Sequence, residues 1–261
     1  MQVTRRIGRS MLNKVPEVTL VFWLIKIMST TVGETGADYL AVHVGLGTSV
    51  TGLIMAALLA AVLAVQLRMG RYVPWVYWLT VVLVSIVGTQ ITDALTDKLE
   101  ISLYVSTALF ATALAATFAI WFAVERTLSI HSIVTTRREL FYWAAILFTF
   151  ALGTAAGDIA TEALGLGFNV GVVVFMALIA GVTAAYALGA NEVLAFWIAY
   201  ILTRPLGASF GDMLSQSRDY GGLGFGTIYT SLAFLAVIAA LVGWLSFADG
   251  SERTPEASPR A

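Results

Sequence analysis

Eight apolar runs, near residues 17–40, 49–67, 73–95, 101–124, 140–164, 169–188, 193–215 and 227–247, leave this chain few ways to fold. Each matches the roughly 17 to 25 residues that an α-helix needs to cross a bilayer. Lipid offers no hydrogen bonds, so a spanning segment must satisfy its own backbone, and runs of this length do so as helices rather than barrel strands. Composition agrees. The chain is 59% hydrophobic and 12% charged, where soluble domains are about 45–50% and about 25%. The expected fold class is an all-α membrane protein of about eight transmembrane helices, with the lipid bilayer as its first partner.

Polar segments flank the apolar runs. Residues 1–16 read as a cytoplasmic basic segment, 17–247 as the transmembrane domain, and 248–261, ending ADGSERTPEASPRA, as a disordered cytoplasmic tail. The start resembles a signal-peptide n-region, but no small-x-small cleavage site follows the first run, so that run reads as a retained anchor. Orientation follows from lysine and arginine. Arg5, Arg6, Arg9 and Lys14 precede the first run, Arg68 and Arg71 follow the second, and Arg126, Arg137 and Arg138 follow the fourth. Arg253 and Arg260 lie in the tail, while only Lys98 and Arg218 fall on the other side. Both termini are therefore expected in the cytoplasm.

Several function classes drop out. Absence of cysteine removes disulfides, thiolate nucleophiles and soft-metal sites together. Two histidines, His43 and His131, are too few for a histidine-rich metal site. Basic residues form no groove-sized patch for nucleic acid. No Ser–His pairing, HExxH motif or phosphate-binding glycine loop is present, so neither an enzyme nor a cofactor is expected. Homo-oligomerisation is compatible with this composition.

The odd-numbered runs repeat. FWLIKIMSTTVGETGAD, YWLTVVLVSIVGTQITD, YWAAILFTFALGTAAGD and FWIAYILTRPLGASFGD each open on an aromatic–Trp pair, at Trp23, Trp78, Trp143 and Trp197. A glycine follows ten residues later, at Gly33, Gly88, Gly153 and Gly207, and an aspartate five beyond that, at Asp38, Asp93, Asp158 and Asp212. No copy needs a gap. The repeats span about 17–72, 73–138, 139–191 and 192–247. Each holds two helices, so all four helical hairpins run parallel, with their aspartates at similar depth on one side. Several even runs open on a glycine-rich turn, as in GLGFNVG, where the second repeat has KLEISLYVS. On these residues the chain resembles a family of bacterial multi-pass inner-membrane proteins of four tandem two-helix repeats, each marked by a tryptophan. That family is described only as uncharacterised and membrane-anchored, with a repeat of unknown function. The resemblance covers about residues 15 to 247 and implies an inner-membrane setting but no activity.

Residues four apart share a helix face. Stepping back from each aspartate gives Lys26/Thr30/Glu34/Asp38, Ser85/Thr89/Asp93, Thr154/Asp158 and Arg204/Ala208/Asp212, polar stripes that should turn from lipid. The aspartates admit two readings: ion ligands, or caps of the turns that follow. The tryptophans read as interfacial anchors, and the glycines as packing residues. Lys26, Glu34 and Arg204 break the repeat. Glu34 and Asp38 put two carboxylates on one face, a pair that repels unless a proton or cation is shared. Pro205 frees a carbonyl in mid-helix, as at the broken helices of transporters.

The expected function is a proton-coupled exporter or exchanger of a hard divalent cation, manganese favoured, since carboxylates with hydroxyls suit such ions. Glu34 and Asp38 are the candidate metal ligands, and Asp93, Asp158 and Asp212 line the pathway. Lys26 and Arg204 are counter-charges, with Thr30, Ser85, Thr89 and Thr154 beside them. The alternatives are transport of a small organic or anionic solute held by Lys26 and Arg204, and a membrane assembly or sensor protein with a structural polar interior.

Overall fold

The computed structural model describes residues 13–38 and 47–251; the side chains of 34, 36–38, 97, 162, 163 and 249–251 lie outside that description. All regular structure among the described residues is helical. The long helices are α1 (Leu20–Asp38), α2 (Gly47–Arg68), α3 (Pro74–Asp93), α4 (Leu103–Glu125), α5 (Thr136–Asp158), α6 (Gly167–Ala187), α7 (Glu192–Ser215) and α8 (Thr227–Ser251). Seven are long and apolar enough to cross a membrane, and the apolar part of α1 is the shorter Leu20–Gly33. The protein is a multi-pass helical membrane protein. Helix α8 continues to Ser251, into the stretch expected to be disordered tail.

The odd helices form a closed ring in which α1 packs on α3, α3 on α5, α5 on α7 and α7 on α1. The even helices lie outside it. Over their apolar stretches α3, α5 and α7 are 61% buried, against 17% for α2, α4 and α6 and 11% for α8. Sequence explains the division: outer helices are apolar on every face and suit lipid, while hydroxyls, glycines and charges collect on the inner ones. The packed pair is not the two helices of one repeat. α2 packs on α3, α4 on α5, α6 on α7, and α8 returns to α1. Each outer helix thus braces the next repeat, and the last closes on the first.

Two repeated residues hold the ring. Each glycine meets the next inner helix at the residue seven beyond its tryptophan. A Cβ on Gly33 would lie 1.9 Å from Ser85 Oγ, on Gly88 2.7 Å from Phe150 Cβ, on Gly153 2.5 Å from Arg204 Cβ, and on Gly207 2.7 Å from Thr30 Cβ. Small residues here let backbones approach where lipid provides no hydrophobic drive between helices. At the other end, the aromatic before each tryptophan contacts the next repeat's tryptophan. Centroids are 5.5 Å apart for Phe22 and Trp78, 5.4 Å for Tyr77 and Trp143, 6.2 Å for Tyr142 and Trp197, and 5.7 Å for Phe196 and Trp23. Trp78, Trp143 and Trp197 are buried. The expectation of interfacial anchors is corrected: these rings close one end of the helix ring, because each inner helix presents its aromatic pair to a neighbour rather than to headgroups.

Pro205 also departs from expectation. Helix α7 runs unbroken through it, with the ring seated in the gap left by Gly153 and Gly157. At the aspartate end, π-helical turns, Ala94–Lys98 and Ile159–Ala163, follow α3 and α5. The second repeat then places Glu100 at φ 52°, where Gly165, at the matching distance from its tryptophan, has φ 64°. A side chain in this left-handed region costs roughly 1–2 kcal/mol. Glu100→Gly is expected to stabilise the detergent-solubilised protein by about 1 kcal/mol, measured as a raised melting temperature; an unchanged or lowered value would contradict the strain.

Candidate functional site

The ring register stacks equivalent positions into levels. Counting from each tryptophan, the third residues are Lys26, Val81, Ile146 and Tyr200, and the seventh are Thr30, Ser85, Phe150 and Arg204. The eleventh are Glu34, Thr89, Thr154 and Ala208, and the fifteenth are the four aspartates. One turn separates successive levels, about 6 Å. The aromatic ring seals the end nearest the tryptophans, and the opposite end carries the aspartates.

Two cations occupy the middle. Lys26 and Arg204 are fully buried, at successive levels of the ring on two helices that pack together. Lys26 Nζ donates to Thr30 Oγ1 at 3.3 Å, while that hydroxyl donates to the Lys26 carbonyl at 2.8 Å. The ammonium also lies 3.9 Å from the Phe150 ring centre and 4.4 Å from that of Tyr200. Such ring faces attract a desolvated cation by about 2 kcal/mol. Phe150 belongs to α5, opposite α1 in the ring, so Lys26 reaches across the interior. Arg204 does the same from α7 to α3, its Nη2 donating to Thr89 Oγ1. No carboxylate among the described side chains lies within ion-pair distance of Lys26.

Hydroxyls surround these cations. Thr89 and Thr154 donate to carbonyls one turn back, at 3.2 and 3.0 Å. The buried oxygens Ser85 Oγ, Thr149 Oγ1 and Tyr200 OH have no protein partner among the described residues. A buried hydroxyl without a partner is costly, and such groups mark places where water or a ligand is accommodated.

The expected site residues divide. The structure brings Lys26, Thr30, Ser85, Thr89 and Arg204 into one interior, with Thr154 at the level of Thr89. Asp93, Asp158 and Asp212 are half-buried, Asp93 and Asp158 ending α3 and α5 and Asp212 in the last turn of α7. Asp93 makes no capping hydrogen bond to the π turn after it. Glu34 and Asp38 end α1, and their side chains lie outside the described ones; His43 falls outside the described residues altogether. Among the described residues no three His, Asp or Glu side chains gather within metal-binding reach.

Glu139, Phe150 and Tyr200 escaped the sequence reading. Glu139 sits beside Arg137 and Arg138, in a run that reads as a solvated charge cluster, yet it is fully buried and bonds Lys14 at 2.7 Å and Gln66 at 2.8 Å. Phe150 and Tyr200 look like ordinary membrane aromatics. The signal was in the register: Tyr200 stands three residues past its tryptophan, as Lys26 does, and Phe150 seven past, as Thr30 does.

The family model described as Repeat of Unknown Function (DUF347) matches the chain four times, at residues 21–72, 76–127, 141–189 and 195–251. No curated protein matches the chain, and no solved structure does either.

Proposed function

The chain belongs to the DUF347 repeat family, and we propose that it is a transporter exchanging a hard divalent cation, manganese favoured, for protons across the bacterial inner membrane, with both termini in the cytoplasm. The observation that carries this reading is the fully buried Lys26 ammonium, held by one hydroxyl and two ring faces two turns from the carboxylate of Glu34 in chain register. A divalent ion captured at Glu34 and Asp38, with the other aspartates lining its approach, raises the positive charge of the interior. Lys26 can relieve it by releasing a proton, which Arg204 cannot do. One basic group then alternates between holding a proton and admitting a metal, which is the logic of exchange. Arg204, spanning to Thr89, fixes the floor beneath the carboxylate levels. The aromatic ring closes the tryptophan end, and in this reading the metal enters from the aspartate end.

In cells made sensitive to manganese, the parent chain should restore growth, whereas Glu34→Gln and Asp38→Asn, expressed to the same level, should not. Full protection by both variants would defeat the carboxylate site. A second reading, transport of a small anionic solute, is favoured by two fully buried cations, Lys26 and Arg204, at successive levels of one interior. It requires Arg204→Gln to abolish solute binding while Glu34→Gln leaves it intact.

A further inference from the structure

Outside the four repeats, the segment before α1 makes contacts that no helix packing demands. Asn13 accepts from the Tyr72 backbone N–H at 3.1 Å, and the Lys14 backbone N–H donates to the Ile133 carbonyl at 3.0 Å. The segment is thereby tied to both the α2–α3 and the α4–α5 connections. Val15 is 3% exposed and joins the main apolar core. Lys14 Nζ reaches Glu139 Oε2 at 2.7 Å and the Leu67 carbonyl at 3.1 Å. Glu139 Oε1 accepts from Gln66 Nε2 at 2.8 Å and Trp143 Nε1 at 3.5 Å. The Tyr72 hydroxyl in turn accepts from Trp78 Nε1 at 3.1 Å. Two of the four tryptophans that close the ring are therefore wired to this segment.

Topology gives the arrangement its meaning. Glu139 lies in the first turn of α5, and α5 stands opposite α1 in the ring. A segment that leaves α1 at Leu20 and is pinned on α5 at Lys14 links opposite members of the ring at its tryptophan end. Six residues reach about 20 Å, enough for the diagonal of four helices packed at about 10 Å. A lysine–carboxylate pair taken out of water is expensive to form and is a poor device for stability alone; a removable catch is a better use for it.

We propose that the Asn13–Val15 segment is a latch that holds the tryptophan end of the interior shut, with Lys14 and Glu139 as its catch. This deepens the transport reading, since a gate has meaning only on a path. Release of the catch frees Trp143 and the α4–α5 connection, and the aromatic ring can part on that side.

The chain contains no cysteine, so a single reporter can be placed at Val81→Cys, one turn inside the aromatic ring. Membrane-impermeant thiol reagent is applied to vesicles of either orientation. In the otherwise unaltered chain and with Lys14→Arg, which keeps the charge, labelling from the tryptophan face should be slow. Lys14→Met and Glu139→Gln should accelerate it about tenfold or more from that face alone. Gln66→Met, which leaves the ion pair in place, should give an intermediate rate and serves if the charge variants do not fold. Unchanged labelling in the folded variants would overturn the latch, and so would equal acceleration from both faces, which signals general loosening. The readout needs no substrate. Absence of manganese transport would defeat the proposed function while a face-selective change in labelling still upheld the latch.

Discussion

Alanine at Gly207 is expected to lower the melting temperature of the solubilised protein, whereas alanine at Gly243 should leave it level or raise it. The two substitutions add the same methyl group to a membrane helix. At Gly207 the new Cβ would meet Thr30 Cβ and Cγ2 at 2.7 Å and the Ile27 carbonyl at 3.0 Å, so α1 and α7 must separate. Overpacking of this kind costs about 1–3 kcal/mol, and more where backbone is among the obstacles. At Gly243, on α8, nothing lies within 4 Å, and the gain in helix propensity is up to about 1 kcal/mol. Gly33, Gly88 and Gly153 should follow Gly207, and Gly181 should follow Gly243. Equal melting temperatures for the Gly207 and Gly243 variants would show that close approach of the inner helices does not hold the ring.

Lys26→Met should leave the fold intact and remove coupled flux. Methionine fills much the same volume against Phe150 and Tyr200, and replacing a buried charge by an apolar isostere is commonly neutral or stabilising. The proton carrier disappears with the amine, so the exchange rate should fall by about a hundredfold or more, the scale at which positioned proton-transfer groups act. Lys26→Arg should fail as well, because arginine keeps its proton and its charge. This pair separates the role from simple positive charge: activity in the arginine variant would make Lys26 a fixed counter-charge.

Much of the fold was legible because membrane helices announce themselves by length. The fourfold Trp–Gly–Asp spacing carried more than a count of helices. Its lack of gaps means that equivalent residues sit at equivalent heights, and the ring stacks them as the register requires. What the spacing could not reveal was partnership. A tryptophan at a helix end reads equally well as a lipid anchor or as half of a contact with the next repeat, and the choice rests on the neighbour's Phe or Tyr. Pro205 suggested a break, but a proline ring fits a continuous helix when the neighbour supplies Gly153 and Gly157. Lys14 counted as a marker of sidedness, and its burial depends on Glu139, 125 residues away. Of the candidate site, the interior position of Lys26 and Arg204 was readable from the polar stripes. Phe150 reaches Lys26 and Thr89 reaches Arg204 from helices diagonally opposite, and Tyr200 reaches Lys26 from the neighbouring one, which no pattern within one helix reports.

In the proposed cycle this interior carries a metal one way and protons the other. Purified protein in liposomes loaded with a manganese-sensitive dye and a pH-sensitive dye tests it in one experiment. Addition of Mn²⁺ outside should bring manganese in and drive protons out, raising internal pH, with both signals lost in Lys26→Met. Absence of any manganese movement in vesicles holding folded parent protein, or manganese entry with no proton counter-movement, would rule out metal–proton exchange.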